Sequence, residues 1–191
     1  MRTSIEAIRR QDLIKAAYEA FRLYGFRGLT MAKIGQQAGM SHGIINYYFK
    51  SKDDLLIAMV RYGNGLIMKD VVRRLREAKT PMERLDAIIE GNFPVDLYDR
   101  PAANAWVSFY SAVPEHPEFD RLQTMFYRRL DSNLHDCLRH LTSRVEAEII
   151  VKGISVMIDG LWMRCALEKA GLDRLEAINL IKDYAHRRLR K

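Results

Sequence analysis

Apolar residues recur at three- and four-residue intervals along the whole chain, and nowhere do they alternate with polar ones over a sustained stretch. Ile5, Ile8, Leu13, Ala16, Ala17, Ala20, Phe21 and Tyr24 mark one face of a first helix, from Ile5 to about Tyr24, which Gly25 ends. Two short helices follow. Thr30 is a natural N-cap, Ile34 and Ala38 share the buried face of the next helix, and Gly39 can take the left-handed conformation that closes it. Ser41 then caps a helix in which Ile45, Tyr48 and Phe49 point inward and His42, Gly43, Asn46 and Tyr47 point out. A short helix with a polar, aromatic and uncharged free face, reached through a glycine turn, reads as a helix-turn-helix.

Ser51 and Asp54 have capping-box spacing and open a long helix that runs to about Ala78. At about 1.5 Å per residue such a helix reaches roughly 39 Å, long enough to lead from one domain into another. Thr80-Pro81 starts the next helix, with Leu85, Ile88, Ile89 and Phe93 on its inner face, and Asn92-Phe93-Pro94 breaks it. Pro101 opens a helix over 102–113, and Pro114 and Pro117 bracket a second break. Helices are then expected over 118–141, 144–170 and 172–189, the first striped by Phe119, Leu122, Phe126, Leu130, Leu134 and Leu138. The chain reads as all-α. Residues 1–50 are expected to form a three-helix DNA-binding domain, and 51–191 a second, helical domain. Ile150, Ile154, Met157, Ile158 and Leu161 are expected on the outer face of the last two helices, where a second copy would cover them.

Charge sharpens the division. Residues 1–61 carry ten Lys/Arg against five Asp/Glu, whereas the remaining 130 carry 21 against 19. Most of the net charge of +7 therefore sits with the helix-turn-helix, as expected of a phosphate-binding surface. A hydrophobic fraction of 48% in 191 residues excludes a disordered chain. No apolar run approaches the roughly 18 residues of a membrane span, and the amino terminus lacks the apolar centre of a signal peptide. Cys137 and Cys165, without C-x-x-C spacing, fit a reducing cytoplasm.

Candidate chemistry is binding rather than catalysis. No H-E-x-x-H, Gly-rich phosphate loop or G-x-S-x-G is present, so no catalytic residue, cofactor or metal is expected. Cys137 and His140 stand three apart without further spaced ligands. Trp106, Phe109 and Tyr110 share a helical face, either as core or as the wall of a pocket for a quaternary ammonium group. Asp159 lies in an apolar helix and needs a partner. That partner is either a cationic ligand, or Arg164 or a backbone group at a dimer interface. A helical module for a protein partner is the reading from another class, and the basic head and the outward Asn46–Tyr47 pair argue against it.

The string T-x-x-x-I-x-x-x-A-G-x-S-x-G-x-x-x-x-Y-F-x-x-K-x-x-L, carried here by Thr30, Ile34, Ala38, Gly39, Ser41, Gly43, Tyr48, Phe49, Lys52 and Leu55, resembles the DNA-binding signature of TetR-family transcriptional regulators. The resemblance implies a homodimeric repressor that binds double-stranded operator DNA. Thr30, Ser41, His42, Gly43, Asn46, Tyr47, Tyr48 and Lys52 would form its DNA surface, Lys52 on a phosphate. Asn46 stands where the family often has Tyr, so an adenine edge replaces the usual phosphate contact there. The stretches Gly91–Phe93, Ala103–Trp106 and Ile158–Arg164 are similar to the subgroup that represses choline-to-glycine-betaine genes. That likeness implies choline as inducer, bound among Phe93, Trp106, Phe109, Tyr110, Asp159 and Trp162. A sensor of another cationic or apolar compound is the alternative within the family.

Overall fold

A computed structural model describes residues 4–169 and 172–190. Its described residues form nine α-helices and a 3-10 turn, with no strand among them. Helix α1 (Ile5–Gly28) begins at Ser4, whose hydroxyl accepts from the Ala7 amide. Its helical dihedrals stop at Gly25, where φ is +66°, and one more turn follows. Leu13, Ala17 and Phe21 bury the inner face. Ile5, Ile8 and Tyr24 do not join that stripe: they are 80%, 48% and 43% exposed, at the two ends of the face where the buried run from Leu13 to Phe21 has stopped.

Helix α2 (Met31–Ala38) packs on α1, and α3 (His42–Tyr48) packs on α2. Helix α4 (Lys52–Glu77) then runs unbroken from that head into the body, against α5 (Pro81–Gly91). Thr80 and Glu83 form the complete capping box at the start of α5, satisfying two free amides at once. Helix α6 (Arg100–Tyr110) starts earlier and ends sooner than the position of Pro101 suggests. Asp99 caps it by accepting from the Ala102 amide at 2.7 Å, and Val113–Glu115 forms the 3-10 turn. Helices α7 (Pro117–Leu138), α8 (Arg144–Leu167) and α9 (Arg174–Leu189) complete the body. Residue 170, where the pattern ends the eighth helix, lies outside the described residues, and α8 itself stops at Leu167.

One expectation about α8 is overturned. Ile150 and Ile154 have no exposure in the single chain, Ile158 and Leu161 are buried, and Met157 is half-buried against the same core. The apolar side chains that α8 leaves in solvent are instead Val145, Ile149, Val156, Met163 and Leu167. Their spacing of four, seven, seven and four traces one stripe along the helix. Since α8 is apolar on two faces, periodicity alone does not tell the inner stripe from the outer one. A chain of ion pairs ties the body together: Arg74 on α4 meets Glu90 on α5, and Lys182 on α9 meets Glu90 at 2.5 Å and Asp86 at 3.3 Å.

Candidate functional site

Local bonding builds the head. The Thr30 hydroxyl accepts from the Lys33 amide at 3.3 Å, starting α2. Gly39, at φ +62°, ends it, and the Met40 amide returns to the Gly35 carbonyl at 2.9 Å. Gly35 is part of the same turn, since a Cβ there would fall 2.8 Å from the Met40 carbonyl oxygen. Sequence reasoning missed that requirement. Ser41 caps α3 through the Ile44 amide at 3.4 Å. Ile45 and Phe49 are buried, and the Arg10 guanidinium lies 4.4 Å above the Phe49 ring.

These anchors leave Ser41, His42, Gly43, Asn46 and Tyr47 in solvent, with Tyr47 72% exposed. Tyr48 is half-buried and meets the Tyr47 ring edge-on at 5.1 Å. Thr30 and Lys52 are exposed at the N-termini of α2 and α4. Three positive helix ends and an uncharged, hydrogen-bonding face thus lie within one small head, an arrangement able to hold phosphates and read base edges. Lys33 is committed elsewhere: its ammonium donates to the Gly28 carbonyl at 2.8 Å and sits over the Tyr24 ring.

The second site is a cavity of about 760 Å³, its mouth included, between α4, α5, α6, α7 and α8. Trp106 and Tyr110 from α6 line it, with Asp159 and Trp162 from α8. Phe126 and Tyr127 of α7 add two further rings, and Asn64, Asn92, Gln123 and Asn133 supply neutral polar groups. Among the described residues, Asp159 is the one charged side chain in this wall. Its carboxylate accepts from the Tyr127 hydroxyl at 2.9 Å, whereas Arg164 of the same chain bonds Glu168 at 2.6 Å.

Electrostatics follow from that isolation. Burial raises the Asp159 carboxyl above its ordinary value, and the Tyr127 hydrogen bond opposes the shift. Burial, then the neighbouring Asp159 charge, pushes the Tyr127 phenol up to about 12 and raises that of Tyr110 as well.

Phe93 and Phe109 are not brought to the cavity. Phe93 lies behind Trp162, its ring nearly parallel at 6.4 Å, while the indole N–H donates to the Asn92 carbonyl at 3.1 Å. Phe109 is enclosed by Phe26, Trp106 and Phe119. Tyr127, Gln123 and Asn64 escaped sequence reasoning because each reads as an ordinary helix residue until distant helices pack. Elsewhere, the Cys137 thiol donates to the Leu134 carbonyl and His140 accepts from Arg139, and no group of three or more metal-binding side chains occurs among the described residues.

Known proteins match over the same two regions. Residues 13–59 match the family described as bacterial regulatory proteins, tetR family, and residues 81–190 match the family described as BetI-type transcriptional repressor, C-terminal. The HTH-type transcriptional regulator BetI of Serratia proteamaculans (strain 568) is 37% identical over 191 residues, 99% of this chain and 96% of that protein. BetI of Rhizobium meliloti (strain 1021) is 36% identical over 189 residues, covering 99% of this chain and 93% of its own. Among solved structures, a transcriptional regulator from Pseudomonas aeruginosa PAO1 superposes with a TM-score of 0.79 at 26% identity, covering 98% and 96% of the two chains. A transcriptional regulator from Saccharomonospora viridis, solved in complex with choline, shares the fold with a TM-score of 0.78 at 20% identity over 93% and 95%. The chain belongs to the BetI-type branch of the TetR family: it is a transcriptional regulator, not an enzyme, of a kind that represses by binding operator DNA as a dimer and responds to a small molecule.

Proposed function

We propose that choline releases this repressor from its operator, and that the genes it controls convert choline to glycine betaine. The observation that carries the reading is Asp159, among the described residues the single charge in a cavity otherwise walled by rings, aliphatic side chains and neutral polar groups. A quaternary ammonium has no N–H to donate, so a site recognises it through ring faces and one opposite charge. Trp106, Tyr110, Tyr127 and Trp162 supply the rings. The choline-bound Saccharomonospora viridis regulator, alike in fold, is consistent with this ligand class.

On the DNA side, His42, Asn46 and Tyr47 face base edges in a major groove, Gly43 allows close approach, and Thr30, Ser41, Tyr48 and Lys52 hold the backbone. The protein works in the cytoplasm. Residues 1–50 make the DNA-binding domain and 51–191 the ligand-binding and dimerisation domain, the division falling at the start of α4. Val145, Ile149, Val156, Met163 and Leu167 of α8, with Leu175 and Leu180 of α9, form the face that meets the second copy.

Calorimetric titration with choline tests the ligand. One choline per chain is expected, with a change in tryptophan emission because both tryptophans line the cavity. Glycine betaine, whose carboxylate meets Asp159, is expected to bind at least about tenfold more weakly. Binding of another quaternary ammonium in place of choline would remove the choline assignment alone. Failure of every quaternary ammonium to bind would remove the cationic-ligand reading.

A further inference from the structure

We infer that the indole of Trp106 is the part through which the cavity and the DNA-binding head act on each other, and that the contact requires glycine at position 63. Trp106 lines the cavity on one side. Its other side abuts α4 and α1 at one point. A Cβ at Gly63, buried on α4, would lie 3.0 Å from Trp106 Cζ2 and 2.5 Å from Tyr18 Cε2 of α1. Ordinary carbon contacts are about 3.5 to 4.0 Å, so the two rings rest where a side chain would otherwise be. The Phe21 ring, also on α1, meets the Trp106 ring edge-on at 5.6 Å. One indole therefore touches the ligand space, the helix that leads to Lys52, and the helix that carries the head's core.

The mounting of α6 leaves this indole little freedom to move alone. At its N-cap, the Asp99 carboxylate accepts from Arg22 of α1 at 2.5 Å, while its other oxygen caps the helix. In its last turn, the Ser108 hydroxyl accepts from the Phe26 amide at 2.7 Å and donates to the Ala105 carbonyl at 2.6 Å. That amide lies just past the break at Gly25, outside the regular helical ladder. With α6 held to α1 on both sides of Trp106 and no slack at Gly63, displacing the indole displaces α1 or α4. Close-packed interiors pass such shifts on rather than absorb them. Coupling is reciprocal, so operator binding in the absence of any ligand changes the surroundings of Trp106. The inference rests on DNA binding and is independent of whether choline is the ligand.

The chain holds two tryptophans, and both line the cavity, so fluorotryptophan incorporated into the full-length protein gives two fluorine resonances to compare. Trp162→Phe and Trp106→Phe assign them. The DNA is a duplex that the protein itself selects from a random pool. Saturating with this duplex, without ligand, is expected to move the Trp106 resonance at least about twice as far as that of Trp162, which is bonded to Asn92 away from the junction. A companion pair of variants tests the glycine. Gly63→Ala is expected to lower affinity for the duplex at least about tenfold, while Gly65→Ala, whose added Cβ meets nothing within 4 Å, stays within about twofold of the wild type. An unmoved Trp106 resonance in the DNA-bound protein, equal shifts of both resonances, or wild-type affinity in Gly63→Ala would overturn the inference. Were choline not to bind, the Trp106 and Gly63 results would stand unchanged.

Discussion

Asp159 sets the terms at the residue scale. Its raised pKa means that the folded chain keeps this proton after the unfolded chain has released it. The resulting stability is full below the ordinary carboxylate value of 3.8 and is lost as pH rises through the raised value. A cationic ligand behaves in the opposite sense because it pairs with the ionised carboxylate. Choline affinity is therefore expected to fall about tenfold per pH unit below the raised pKa and to level off above it, as calorimetry across pH would reveal. Asp159→Asn keeps an acceptor for the Tyr127 hydroxyl but removes the charge. It should weaken choline binding by about tenfold or more and flatten that pH dependence. In the head, Lys52→Ala is expected to weaken binding to all duplexes alike and reduce the slope of log affinity against log salt by about one. Asn46→Ala should instead change which duplexes are preferred, measured by competition between selected sequences. A uniform loss for Asn46→Ala would assign that side chain to the backbone.

Helix ends and helix faces differ in how well the sequence declares them. The hydroxyls of Thr30, Ser41, Ser51 and Thr80 each accept an amide from within their own first turn, so their roles were legible from neighbours alone. Removing the Ser41 hydroxyl by Ser41→Ala should cost about 1 kcal/mol of stability, measured by thermal or urea unfolding. The α8 faces depend instead on which helices α7 and α9 cover. Ile150 and Ile154 were expected outside and lie inside, while Val156, 65% exposed, lies on the outer stripe. That face predicts a self-association surface, and Val156→Glu should raise the dimer dissociation constant at least about tenfold in sedimentation equilibrium. A dimer of unchanged strength would mean that the second copy sits elsewhere.

Taken whole, the molecule joins two sites of unequal legibility. The reading part of the head lies in residues 30 to 55, and the fixed spacing of its glycines, caps and aromatics carries the family resemblance. The cavity draws on five helices, and only packing shows that Tyr127 reaches Asp159 across 32 positions or that Phe93 and Phe109 stay behind the wall. Hydrophobic spacing offers no means of separating a ring that lines a cavity from one that fills a core, which is why Phe109 and Trp106 looked equivalent. The same packing ties the cavity wall to α1 and α4: Trp106, Gly63, Phe21 and Tyr18 meet where α6, α4 and α1 converge. A ligand acts there only as far as it binds the two states of the protein unequally. The most direct test is therefore the affinity of the protein for the duplex upstream of its own gene, measured by fluorescence anisotropy at fixed moderate salt with and without saturating choline. We expect tight binding without choline and a weakening of about 10- to 100-fold with it; equal affinity in the two conditions would contradict choline-released repression.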